Sequence, residues 1–119
     1  VGRVVTVPIR TVSEANARDG WRKKSRRAQE QKFLVRAHVG VEFARRNAPP
    51  YDVTLVRIGP KKLDKDNLAN SFKWVQDAVA AVLGVDDGEE DKVQWHYRQE
   101  PGGKKYAVRI EIETKEKLR

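Results

Sequence analysis

The chain has 119 residues and a mass of 13.6 kDa, enough for one compact domain and too little for two. It has no Cys and only two His, His38 and His96, which excludes disulfide scaffolds, thiolate zinc sites, cysteine nucleophiles and histidine-rich metal centres. No apolar run approaches membrane-spanning length and none has a signal-peptide layout, so a cytoplasmic protein without a membrane partner is expected. The net charge of +8 is unevenly placed: residues 1–50 carry 12 Lys+Arg against 4 Asp+Glu, whereas residues 51–119 carry 13 of each. Arg22, Lys23, Lys24, Arg26 and Arg27 are the densest basic stretch, and such clustering points to a polyanion as partner.

In chain order, Val4 to Ile9 alternates with Val5, Val7 and Ile9 on one face, the pattern of a strand. A polar loop containing Asp19-Gly20 follows. From Trp21 to about Arg46 only Gly40 interrupts a helical pattern, in which Leu34, Ala37, Val41 and Ala44 form an apolar stripe flanked by Phe33 and His38. Pro49-Pro50 ends it. Val53 to Ile58 predicts a second strand, stopped by Gly59-Pro60. A second helix is expected from about Asn67 to Leu83, with Leu68, Phe72, Val75, Val79 and Val82 as one stripe and Gly84 as its C-terminal cap. Residues 86–91 hold five acids. Val93, Trp95 and Tyr97 alternate with polar residues, and after Pro101-Gly102-Gly103 so do Tyr106, Val108, Ile110 and Ile112, which predicts a hairpin. The last residues, 115–119, are expected to fray. The expected fold is a single α+β domain over 1–119 in the order β-α-β-α-β-β, a mixed sheet with a C-terminal hairpin and two packed helices.

Chemistry concentrates on the polar side of the second helix. At 100° per residue from Leu68, Asp66 lies at about 160°, Asn70 at about 200°, Lys73 at about 140° and Asp77 at about 180°. Taken alone, this is the solvated face of an amphipathic helix, with Asp64 or Asp66 as N-cap. Three features add weight: Asp64 and Asp66 flank one residue after the basic pair Lys61-Lys62, a second acidic pair Asp86-Asp87 follows the helix, and positive charge lies elsewhere in the chain. Two or three carboxylates around one point would hold Mg²⁺, a hard cation that keeps several waters, lowers the pKa of one and neutralises a phosphate. A Lys beside them can stabilise transition-state charge.

Asp64-Lys65-Asp66-Asn67 is similar to the D-x-D-N motif of the RusA family of Holliday junction resolvases. In that family the motif opens a helix carrying a Lys and an Asp-Ala pair, and a Gly and an Asp-Asp pair follow. The matching positions look like Lys73, Asp77-Ala78, Gly84 and Asp86-Asp87. The resemblance covers residues 60–113 best. Here Lys73 stands seven residues after the second Asp, where the family commonly has its Lys at four, the place of Asn70. Both positions share one helix face. Only Val85 separates Gly84 from the acidic pair. The resemblance implies a structure-selective, Mg²⁺-dependent endodeoxyribonuclease (Mn²⁺ as a substitute) that nicks four-way DNA junctions in recombination and repair. It further implies a homodimer whose two-fold symmetry matches the junction, and a family often encoded by phages and prophages. Asp64, Asp66 and Asp87 are the expected ligands, Asp86 or Asp87 being open, with Lys73 assisting.

Arg22, Lys23, Lys24, Arg26, Arg27, Lys61 and Lys62 are the expected DNA contacts. Trp21 and Trp74 could stack on bases, but aromatic residues more often pack. His96 reads as a surface histidine, and Glu89, Glu90 and Asp91 as solvated loop acids. The competing reading is a non-catalytic nucleic-acid-binding module whose acids are caps and solubilising charges.

Overall fold

The computed structural model describes residues 2–115. Four strands and four helices follow one another: β1 (Gly2–Val7), α1 (Trp21–Val39), α2 (Val41–Arg46), β2 (Tyr51–Gly59), α3 (Lys65–Ser71), α4 (Lys73–Leu83), β3 (Val93–Pro101) and β4 (Ala107–Thr114). The strands form one mixed sheet in the order β1-β4-β2-β3. β4 pairs antiparallel with both β1 and β2, while β2 and β3 are parallel and joined by α3 and α4. The domain is α+β, as the periodicities predict. The C-terminal strands run antiparallel around the Pro-Gly-Gly turn, but they are a split hairpin: β2 lies between them and supplies the partner of each. Turn chemistry specifies reversal of direction. The long-range register of β2, whose Leu55 faces Ile110 on one side and Tyr97 on the other, specifies pairing.

One face of the sheet packs under helices. Val7, Tyr51, Val53, Leu55, Val93, Val108, Ile110 and Ile112 are buried there against Val35, Val39, Leu68, Phe72, Val75 and Val79. The other face is polar. Arg109 reaches Glu111 at 2.8 Å and Glu100 at 3.0 Å, and with Arg98 it flanks Val56, which is fully buried. His96, on the same face, pairs with Asp52 at 2.7 Å.

Two helices are each broken once. Gly40 adopts φ 78°, ψ 150°, so the expected helix to Arg46 stops at Val39 and restarts at Val41. The apolar stripe is also rephased. Ala28, Gln31, Val35 and Val39 are the buried residues of α1, whereas Phe33 is 71% exposed, Val41 48% and Ala37 exposed. The sequence carries two apolar stripes on α1, and packing against α4 and β1 selected the other one. The second break is at Phe72 (φ −95°, ψ 6°), where one continuous helix is expected. Phe72 is fully buried and stacks on Tyr97 at 5.7 Å, and Ser71 Oγ donates to Leu68 O at 2.7 Å, diverting the last carbonyls of α3. Of the expected stripe, Leu68, Phe72, Val75 and Val79 are buried and Val82 half-buried, and Gly84 is the left-handed cap of α4. Of the expected fraying tail, Lys115 is tied down by its N–H to Pro50 O at 3.0 Å, and residues 116–119 lie outside the described residues.

A Cβ on Gly40 would meet nothing within 4 Å, so only the backbone conformation requires glycine there. Gly40→Ala is expected to cost about 1–3 kcal/mol in urea unfolding, since this region of φ and ψ is nearly closed to other residues. A variant of unchanged stability would mean that α1 and α2 can join without this turn.

Candidate functional site

Asp64 is the N-cap of α3, in extended conformation (φ −69°, ψ 169°). Its Oδ1 accepts the Asn67 backbone N–H at 2.9 Å and its Oδ2 accepts Asn67 Nδ2 at 3.0 Å. Asn67 Oδ1 in turn accepts Ser13 Oγ at 2.9 Å and Asn16 Nδ2. The D-x-D-N sequence therefore has a local task here: it caps a helix and ties its start to the 11–20 loop. Asp66, in the first turn, is exposed, and its carboxylate has no hydrogen bond or ion pair among the described residues.

The break at Phe72 changes which acids meet. Wheel angles cannot be carried from Asp66 to Asp77 across a non-helical residue; Asp66, Asn70 and Lys73 are exposed and Asp77 is half-buried. Asp77, half-buried on α4, feels the charge of Asp87. Burial first, and the Asp87 charge second, hold the Asp77 carboxyl above its ordinary range; Lys32 and Lys73 act in the opposite direction. Both lysines lie against the ring of Trp74, with Nζ at 5.3 Å and 4.7 Å from its centre. Trp95 Nε1 donates to Asp87 O at 2.9 Å and so fixes the acidic loop to β3. Tyr97 donates its hydroxyl to Gln76 Oε1, and burial, with the Asp87 charge as a lesser cause, raises its pKa.

Of the adjacent pair, Asp87 is thus the acid turned toward α4. The Asp86 backbone N–H is bound by Glu89 Oε1 at 2.9 Å, and Glu89 also pairs with Lys92 at 2.9 Å. Those two contacts hold the Glu89 carboxyl below its ordinary range. Among the described residues no three His, Asp or Glu side chains gather so as to hold a metal ion. Asp64, Asp66 and Asp87 are therefore not brought together as one ligand set. The pair that does form, Asp77 and Asp87, is a hard-oxygen donor set with a repulsion that a cation would relieve, and it fits Mg²⁺ held by two carboxylates with water or phosphate completing the shell.

The basic residues divide as sharply. Arg27 is not a free phosphate contact: its Nε is 2.7 Å from Glu14 and its Nη1 2.8 Å from Asp19, with the guanidinium half-buried. It ties α1 to the 11–20 loop. Arg22, Lys23 and Arg26 are exposed, as are Lys61 and Lys62, and Lys24 is partly so. Trp21, expected to pack, is 74% exposed with Arg22 5.6 Å from its ring. Trp74 is half-buried beneath its two lysines. His96 is exposed on the polar face of the sheet, as a surface histidine. Lys32 was missed by sequence reasoning, because only the packing of α1 on α4 brings it near Asp77. Asp77 stood on the expected polar face but outside the expected ligand set. Its own signal was the Asp-Ala pair.

The raised pKa has a definite sign for stability. Between 3.8 and the higher folded value, the folded protein holds a proton on Asp77 that the unfolded chain has released, so stability falls as pH rises through that window. In chelator, Asp77→Asn is expected to melt at a higher temperature than the parent protein at pH 7. The gap should close as pH is lowered toward 3.8. A variant that melts lower at pH 7 would show that the charged carboxylate is satisfied as it stands.

Comparison with protein-family models and with curated proteins gives no match to this chain.

Proposed function

We propose that this chain is a Mg²⁺-dependent endodeoxyribonuclease for branched DNA, similar in its chemistry to RusA-type junction resolvases and active on four-way junctions in recombination and repair. The observation that carries the reading is that half-buried Asp77, on the helix that follows the D-x-D-N segment, feels the like charge of Asp87, with Lys32 and Lys73 acting in the opposite direction. Burial and a neighbouring like charge on Asp77 act against stability. Such an arrangement suits a site that binds its cation to work.

Asp77 and Asp87 would hold the ion, and Mn²⁺ would serve in its place. When bound, it supplies charge neutralisation at a phosphate and a more acidic water for phosphodiester hydrolysis. Lys73 and Lys32, whose charges act on Asp77, would offset the charge that develops on the phosphate oxygens. Asp66, exposed and without a carboxylate partner among the described residues, lies at the start of α3, while Asp64 holds that start in place through Asn67. Arg22, Lys23, Lys24 and Arg26, together with Lys61 and Lys62, provide the sequence-independent attraction to the DNA backbone. A homodimer would present two such sites to a two-fold-symmetric junction.

The second reading is a non-catalytic nucleic-acid-binding module. Two observations favour it: Asp64 is fully used as a helix cap, and no third carboxylate joins the pair among the described residues. One assay separates the two. A synthetic four-way junction is expected to be nicked with Mg²⁺ and left intact in chelator. Asp77→Asn and Asp87→Asn should each slow nicking by at least ~100-fold, the scale of losing one transition-state electrostatic contact. In chelator the same variants should bind the junction as well as the parent or better, because each removes a like charge from the phosphate's approach. A junction bound tightly but never nicked in Mg²⁺ or Mn²⁺ would establish the binding module instead. Asp64→Asn serves as the internal control, since Asn caps a helix as well as Asp does. It should keep the melting temperature, and unchanged nicking would assign Asp64 to the cap alone.

A further inference from the structure

β2 ends by burying a charge that has no counter-charge among the described residues. Arg57 is 5% exposed. Its Nη1 donates to Lys61 O at 2.6 Å, and its Cζ lies 6.0 Å from the centre of the Tyr106 ring. Its Nε is buried without an acceptor, and Nη2 makes no hydrogen bond among the described residues. No carboxylate pairs with it there either. The other two part-buried arginines with bidentate contacts are treated differently: Arg27 holds Glu14 and Asp19, and Arg109 holds Glu100 and Glu111. A guanidinium cannot discard its proton, so burying one unpaired is costly unless an anion completes it.

Arg57 lines a cleft of about 300 Å³ together with Gly59, Lys61, Lys62 and Gln99. Glu100 is also at its wall, but that carboxylate is committed to Arg109 and Arg98. The cleft is built rather than incidental. Arg57 and Gln99 are register partners on β2 and β3. Arg57 holds the Lys61 carbonyl, while the Gln99 amide accepts from Leu63 N at 2.9 Å and donates to Leu63 O at 2.7 Å. The loop is thereby fixed at 61 and 63, directly before Asp64. Gly59 permits this, since a Cβ there would lie 3.3 Å from Arg57 Cζ and 3.2 Å from Tyr106.

We propose that Arg57, Lys61 and Lys62 form a subsite for a phosphate oxyanion, which the guanidinium meets through Nη2. Its occupant is a backbone phosphate of the nucleic acid, an identification that rests on the function proposed above, whereas the oxyanion subsite itself does not. Nη2 is a charged planar donor suited to a phosphate oxygen, and the two lysines add exposed charge at the rim.

The test uses the full ¹⁵N-labelled chain in chelator, titrated with inorganic phosphate and, separately, with the dinucleotide thymidylyl-3′,5′-thymidine. The Arg57 Nε–H resonance and the Lys61 and Lys62 amides are followed. A single saturation curve shared by all three, with both ligands, is expected. Lys62→Gln, an exposed change, should weaken it about threefold, the loss of one screened contact. A stationary Arg57 Nε–H overturns the subsite. So do shifts spread evenly over the exposed lysines and arginines, which would mean an adventitious ion only. Saturation by phosphate but not by the dinucleotide overturns the assignment to a nucleic-acid backbone. Neither ligand is cut in chelator, so phosphate gripped at Arg57 in a protein that never nicks a junction leaves the subsite standing and removes only the nuclease reading.

Discussion

β2 has hydrogen-bonded neighbours along its whole length, parallel β3 on one side and antiparallel β4 on the other, and Tyr51, Val53, Leu55 and Val56 are almost wholly removed from solvent. Everything that forms the candidate site is hung from this strand. Its parallel pairing with β3 requires a crossover, and that crossover is α3 and α4. Its C-terminal end delivers the chain to Lys61 and Asp64. Its neighbour β3 provides Trp95, Tyr97 and Gln99, which respectively hold the Asp87 loop, pack on Phe72 and fix Leu63. Burial along β2 is hydrophobic, non-directional and large in sum. The polar contacts at its end are few and directional, and they convert that burial into position.

The electrostatics of the molecule follow from the same frame. Where charges are half-buried on structural duty, they are paired: Arg27 with two acids of the early loop, Arg109 with two acids of the open face. Exceptions occur on either side of α3. Asp77 and Asp87 are like charges drawn together, and Arg57 is a buried cation without an anion among the described residues. A fold selected only for stability would separate the first and pair the second. In sequence Arg57 precedes the D-x-D-N segment and Asp77 and Asp87 follow it; in the function proposed above, the acids would take a cation and the arginine an anion.

The surface excess of positive charge plays a different part. Arg22, Lys23 and Arg26 stand on the solvent side of α1, and Trp21 and Phe33 are exposed on the same helix. The field of such a surface acts at the range of the Debye length and falls with salt, so in the proposed function it would bring a polyanion near without selecting its structure. Selection, in the proposed function, comes from the fixed groups around α3 and α4.

The sequence by itself determined the fold class, because alternation at Val108, Ile110 and Ile112 and helical spacing at Leu68, Val75 and Val79 are imposed by backbone geometry within single elements. It also determined the left-handed cap at Gly84, the capping role open to Asp64, and the uneven charge. Tertiary structure alone decided which of two apolar stripes on α1 is buried, since both have helical period and only α4 and β1 discriminate between them. It decided that β2 lies between β3 and β4, because a Pro-Gly-Gly turn sets direction and not partnership. It decided that Phe72 leaves the helix to stack on Tyr97, and with that rotation it brought Asp77 rather than Asp66 toward Asp87. Local periodicity describes what each segment can bury. The sites depend on which segments meet, and that is settled by contacts far apart in the chain, where no local pattern reaches.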